Sequence, residues 1–142
     1  MDKEGVNYAE VLKDAQGLGY AESDPAADVE GSDAADKIAI LSGLAFGGAI
    51  NRANIPTTGI NLLEAIDVNY AKKLGYGIKL LAISERGETQ PNSGDSQPLS
   101  VWVEPTLVPE NNPLAGVNGV NNAILVEGNP IGQVMFFGPG AG

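Results

Sequence analysis

The sequence predicts an α+β fold: about three main helices packed on a mixed or antiparallel sheet of about four strands, in one domain over residues 1–142. Two observations carry that prediction. In the first half, apolar residues recur at helical spacing in three stretches, each closed by glycine. In the second half, short runs rich in Val, Ile, Leu and Phe are separated by Gly, Pro and Asn turns. Helices followed by strands segregate as α+β rather than alternating as α/β.

Taken in order, residues 1–6 are polar and predict a frayed terminus. Asn7 with Glu10 three residues on is a capping box. Tyr8, Val11, Leu12, Ala15 and Leu18 then keep helical spacing, and Gly17 and Gly19 stop the helix. Asp24-Pro25 and Glu30-Gly31 are breakers, so the stretch between them is expected to be an ordered loop. A second helix is predicted from about Asp33 to Phe46, N-capped by Ser32 and closed by Gly47-Gly48. Its apolar run Ile38 to Ile50 predicts a buried helix, and Ala34, Ala35, Ala39, Ser42, Gly43 and Ala45 give it a surface that permits close packing. Arg52 is best explained as solvated or helix-capping, and Pro56-Thr57-Thr58-Gly59 as a turn. Ile60, Leu63, Ile66 and Tyr70 predict a third helix ending at Gly75, with Asp67 on its polar side.

Strands are predicted over Tyr76 to Ser84 and over Leu99 to Val108, the second interrupted by Pro105 and therefore an edge or a bulge. Residues 85–98 join them as an exposed or mobile loop. Trp102 is assigned to sheet packing. Asn112-Pro113-Leu114-Ala115 begins a short turn or helix. Asn121 to Glu127 and Gly132 to Phe137 form a final hairpin across Gly128-Asn129-Pro130. The terminal Gly138-Pro139-Gly140-Ala141-Gly142 follows a strand, where such a run is either a loose tail or the start of a helix whose amides face an anion or cofactor.

Charge narrows the function. Acids outnumber bases 18 to 8, a net charge of −10. The excess is local, with ten acids and two bases in residues 1–36. An acidic chain does not suit nucleic acid or an anionic membrane surface, and no uncharged apolar stretch is long enough to span a bilayer. Cysteine is absent, which removes disulfides and thiol chemistry and is compatible with a cytoplasmic protein.

Six carboxylates fall between Glu22 and Asp36, and Lys37 is the first cation after them. Asp33 and Lys37 share one helix face, four residues apart. Two explanations remain open at this level. One is a structural ion pair with solvated acids, the commoner case. The other is a proton-transfer lysine beside carboxylates that hold a cationic substrate group. A metal site is disfavoured: Asp24, Asp28, Asp33 and Asp36 lack the alternating spacing of a calcium loop, and there is no His or Cys.

Ala15-x3-Gly19-Tyr20-Ala21-x2-Asp24-Pro25-x2-Asp28-Val29-Glu30-Gly31-Ser32-Asp33-x3-Lys37 resembles the signature of homoserine dehydrogenases at every position. The likeness continues through Gly75 to Ile83, Asn112 to Val117, Asn122-Ala123-Ile124 and the closing glycine run. One departure is Asn112, where many relatives have histidine. The resemblance implies that Lys37 is the catalytic acid/base, with Asp33 beside it. Glu22 and Asp33 would hold substrate, Tyr20 and Asp28 would line the pocket, and Gly138, Gly140 and Ala141 would lie beside the nicotinamide. It further implies L-homoserine and L-aspartate 4-semialdehyde as substrates, NAD or NADP as cofactor, and a cytoplasmic homodimer serving threonine and methionine biosynthesis in the aspartate pathway. The glycine-rich dinucleotide fingerprint is missing from this sequence. The chain is therefore expected to be the central catalytic and dimerisation domain without its nucleotide-binding domain, inactive and free of cofactor alone. A non-catalytic dimerisation scaffold is the alternative.

Overall fold

The computed structural model describes residues 26–87 and 98–140. The expected first helix and the loop after the first strand lie almost wholly outside that range. Among the described residues, three α-helices and four strands follow in order: α1 (Ala26–Val29), α2 (Ser32–Phe46), α3 (Ala65–Lys73), β1 (Tyr76–Arg86), β2 (Leu99–Pro109), β3 (Asn121–Gly128) and β4 (Gly132–Pro139). The class is α+β. The four strands pair as two two-stranded sheets, β1 with β2 and β3 with β4.

Two compact units divide the chain, one within 26–63, 80–87 and 98–106, the other within 64–79 and 107–140. In the first, α1 is a single turn where the sequence predicted loop. It reverses into α2 at Gly31, whose φ of +80° is a left-handed value that a side chain resists. Gly31, not Ser32, occupies the N-cap position, and its carbonyl accepts from Ala35 N at 3.0 Å. Ser32 is already helical, and its Oγ donates back to the Ala27 carbonyl of α1 at 3.1 Å. The far end of α2 stops at Gly47 as expected. There Arg86 Nη2 donates to the Phe46 carbonyl at 2.9 Å, placing a cation at the negative end of the helix dipole.

The core of this unit is Ala35, Ile55 and Val103, with Ala34, Ile38, Ala39, Ile50, Leu80, Ala82 and Val101 packed around it. The small residues of α2 let the helix approach these side chains closely; Ala35 and Ser42 are buried. Full burial of Val103 contributes about 1.5–3 kcal/mol. The other face of α2 is uncovered: Ile40 is 65% exposed and Leu44 79%. The expectation of a buried helix is corrected for these positions: apolar residues all round need cover on both sides, and the described residues cover one.

Pro56 to Thr58 forms a parallel bridge rather than a turn: Val103 N donates to the Pro56 carbonyl at 2.9 Å, and Thr58 N to the Val103 carbonyl at 2.8 Å. Gly59 then lies against α1. A Cβ there would overlap the Val29 carbonyl and lie 2.6 Å from Glu30 Cα, so only glycine lets the two backbones meet. Ile60 N completes the join by donating to the Val29 carbonyl at 2.8 Å.

In the second unit, α3 starts later than predicted because Asp67 is part of its cap. Its Oδ2 accepts from Glu64 N at 2.9 Å. Val68 and Ala71, three apart, form the buried stripe of the helix, and Val108 on β2 is buried too. Glu110 N donates to the Gly75 carbonyl at 3.0 Å and, in the first unit, Gly87 N to the Pro98 carbonyl at 2.8 Å, so β1 and β2 run antiparallel. Pro105 does not interrupt β2, since in a two-stranded sheet either strand has a free edge for the missing N–H. Trp102 is half-buried on that strand and donates to Glu104 Oε1 at 3.0 Å. The β3–β4 hairpin pairs Asn121 with Pro139 through Gly128 with Gly132, as its turn signals predicted.

Candidate functional site

The reversal at Gly31 sets the first turn of α2, and that turn carries the charges. Lys37 Nζ lies 2.6 Å from Asp33 Oδ2, the spacing the sequence predicted. The pair is open to solvent, with 61% of the Lys37 side chain and 45% of Asp33 exposed. An exposed i,i+4 pair contributes about 0.3–0.5 kcal/mol. The pair therefore adds little to stability, and the Lys37 ammonium stands in solvent.

Asp36, on the adjacent side of the helix, is engaged separately. Its Oδ1 accepts from Arg52 Nε at 2.8 Å, and Arg52 Nη2 reaches the Ser32 carbonyl at 3.5 Å. Arg52 is thus tied to the first turn of α2 while staying partly open to solvent. Sequence offered no signal for it: sixteen residues separate the partners, and only the chain's return after Gly47-Gly48 brings them together. A shallow, open depression of about 470 Å³ lies beside this pair, lined by Glu30, Ser32, Arg52, Thr57, Thr58, Gly59 and Asn61. Asp33 and Lys37 do not line it.

Asp28 sits on α1, exposed. Glu22 and Tyr20 lie outside the described residues, so the structure brings together only Asp33 and Lys37 of the predicted substrate group. Among the described residues, no group of three or more His, Cys, Asp or Glu is placed to hold a metal ion, and no helix is long and apolar enough to cross a membrane.

In the second unit, Gly138 and Gly140 end β4, while Ala141 lies outside the described residues. Gly140 N donates to the Val120 carbonyl at 2.8 Å. Among the described residues, no atom beyond its two chain neighbours comes within 4 Å of where a Cβ on Gly138 would sit. Lys79, unremarked in the sequence, donates to the Val117 carbonyl at 2.7 Å and to Asn118 Oδ1 at 3.0 Å.

Comparison with known proteins agrees with the signature. The family model described as homoserine dehydrogenase matches residues 1–142. The chain is 54% identical to a homoserine dehydrogenase of Synechocystis sp. and 44% identical to one of Bacillus subtilis, covering all of this chain but 32% and 31% of those proteins. Among solved structures, a homoserine dehydrogenase from Thiobacillus denitrificans superposes with a TM-score of 0.91 at 45% identity, over all of this chain and 31% of that one. A hyperthermophilic archaeal homoserine dehydrogenase in complex with NADPH gives 0.66 at 27% identity, over 98% of this chain and 36% of that one. The chain thus spans about a third of the length of the relatives it matches. With its whole length matched and its signature lysine and aspartate paired on one helix turn, the chain belongs to the homoserine dehydrogenase family.

Proposed function

We propose that this chain is the central substrate-binding and dimerisation domain of an oxidoreductase that interconverts L-homoserine and L-aspartate 4-semialdehyde with NAD or NADP. The observation that carries this is the Asp33–Lys37 pair at 2.6 Å, set at the start of α2 within a family-matched chain. NADPH in the archaeal relative supports a nicotinamide cofactor.

Homoserine carries an α-ammonium, and carboxylates such as Glu22 suit it as acceptors of charge-assisted hydrogen bonds. Tyr20 and Asp28 line the same pocket in this proposal. Lys37 takes the proton of the substrate hydroxyl as the carbinol becomes a carbonyl, and returns it in the reverse direction. Asp33 holds the lysine in place for that transfer. A bound nicotinamide would supply the acceptor for the hydride of the carbinol carbon. Gly138 fits such a ring, because its bare backbone leaves the space a side chain would fill. Gly140 and Ala141 are assigned to the same ring by the family signature. The enzyme works in the cytoplasm, in the aspartate pathway toward threonine and methionine.

The experiment is homoserine-dependent NAD(P)H formation by a full-length enzyme carrying this segment, with Lys37→Ala beside it. We expect turnover to fall roughly 10²–10⁴-fold, the usual worth of general acid/base catalysis. Near-wild-type turnover would remove Lys37 from the chemistry. In the same assay, Glu22→Ala is expected to raise the KM for homoserine, and an unchanged KM would move the ammonium site elsewhere.

A second proposal, a dimerisation scaffold without chemistry of its own, is favoured by one feature. The β3–β4 hairpin carries Ile124, Val126, Val134 and Phe136 on one face and Ala123, Leu125, Met135 and Phe137 on the other. A ribbon apolar on both faces needs partners on both, and symmetric pairing with a second copy would cover one.

A further inference from the structure

Lys79 leaves β1 half-buried, and its ammonium donates to two acceptors in the segment between Pro113–Gly116, a 3-10 turn, and β3. From there the hydrogen bonds continue toward the end of β4. Asn118 Nδ2 donates to the Gly116 carbonyl at 3.1 Å, and the Asn118 carbonyl accepts from Asn121 Nδ2 at 3.2 Å. Two residues on, the Val120 carbonyl accepts the Gly140 N–H at 2.8 Å. The Asn122 side chain stands where a Cβ on Gly140 would project. The glycine-rich end of β4 therefore rests on a loop, and Lys79 braces that loop from below. Bonds from an ammonium to a carbonyl are about twice as strong as neutral ones. The loop itself, with Gly119 at φ +68° and no regular ladder, has little stiffness of its own.

We propose that Lys79 is a positioning residue for the nicotinamide cofactor: it fixes 117–120, and through Val120 and Asn122 it sets where Gly138 and Gly140 meet the nucleotide. The inference rests on those glycines facing the cofactor, as proposed above. In this role Lys79 touches no reacting atom and acts through the loop.

The test uses a full-length enzyme carrying this segment, with Lys79→Met, Lys79→Arg, Asn118→Ala and Gly140→Val compared by steady-state kinetics and thermal unfolding. For Lys79→Met we expect the KM for NAD(P) to rise roughly three- to tenfold, the worth of one ordinary hydrogen bond. The KM for homoserine should stay within about twofold, a split that general loosening of the fold would not produce. Asn118→Ala should shift the same constant in the same direction, and Lys79→Arg should recover part of the loss. Equal rises in both KM values would overturn the proposal. So would an unchanged NAD(P) KM in Lys79→Met and Asn118→Ala alongside a raised one in Gly140→Val, with the cofactor assignment left standing. If Gly140→Val also leaves that KM unchanged, the cofactor assignment falls and this proposal with it. Should Lys79→Met fail to fold, Asn118→Ala, which keeps the lysine, decides between these outcomes.

Discussion

Asp33–Lys37 and Asp36–Arg52 leave the same helix turn and differ in how each was found. The first needs only helical spacing, so it is legible in the sequence. The second depends on where the chain returns after α2, which no local rule states. Both are surface pairs, with the Arg52 side chain 37% exposed and Asp36 65%. In a double-mutant cycle with Arg52→Ala and Asp36→Ala, the coupling is expected to be about 0.2–1 kcal/mol, smaller still in 1 M salt. A coupling above about 3 kcal/mol, the scale of a desolvated pair, would show that Arg52 and Asp36 are far less hydrated than their exposure indicates. The charge of Lys37 was legible too, but not its exposure, because the sequence marks α2 as apolar without saying what lies against it.

Among the elements, strands and helix ends were the clearest. Period-two runs and glycine stops are local signals, and β1, β3, β4 and the end of α2 fall within a few residues of their expected bounds. The misses have two causes, element length and tertiary context. α1 sits between two breakers and is one turn long, too short for periodicity to register. Pro56 to Thr58 has the composition of a turn and instead pairs with Val103. Gly31 is where the reversal between α1 and α2 is most open to test. Gly31→Ala places a side chain at φ +80° and puts its Cβ 3.2 Å from Thr57 Cγ2 and 3.3 Å from Val103 Cγ1. We expect a loss of about 1–2 kcal/mol from the left-handed backbone alone, read as a lower midpoint of thermal unfolding. Gly59→Ala should cost more, since the obstacle is backbone. The reverse order would place the tightest constraint at Gly31.

For the molecule as a whole, the family signature was legible because it is long and rich in residue identities, and so were the two hairpins, whereas their separation into two sheets instead of one of about four strands was not. Whether two hairpins join is set by contacts far apart in sequence, and alternation alone does not decide it. The apolar surface left uncovered is the second whole-molecule feature. Phe136 is 61% exposed on β4, opposite Ile124. If a second copy covers this ribbon, Phe136→Lys should convert a full-length dimer toward monomer in sedimentation velocity at micromolar concentration. An unchanged dimer would place the interface on another surface.

The backbone contact between Gly59 and α1 has a consequence for tolerance to mutation. The placement of α1 depends on Val29, buried in the core, and on a glycine far downstream; Ala27, Asp28 and Glu30 are exposed and contribute no buried side chain. A saturation library selected only for folded protein should therefore accept most residues at 27, 28 and 30 while losing nearly everything but glycine at 59. Selecting the same library for growth without supplied homoserine separates two demands that one sequence superimposes. Depletion that appears at Asp28 only in that second selection would measure its part in handling substrate, with folding already subtracted.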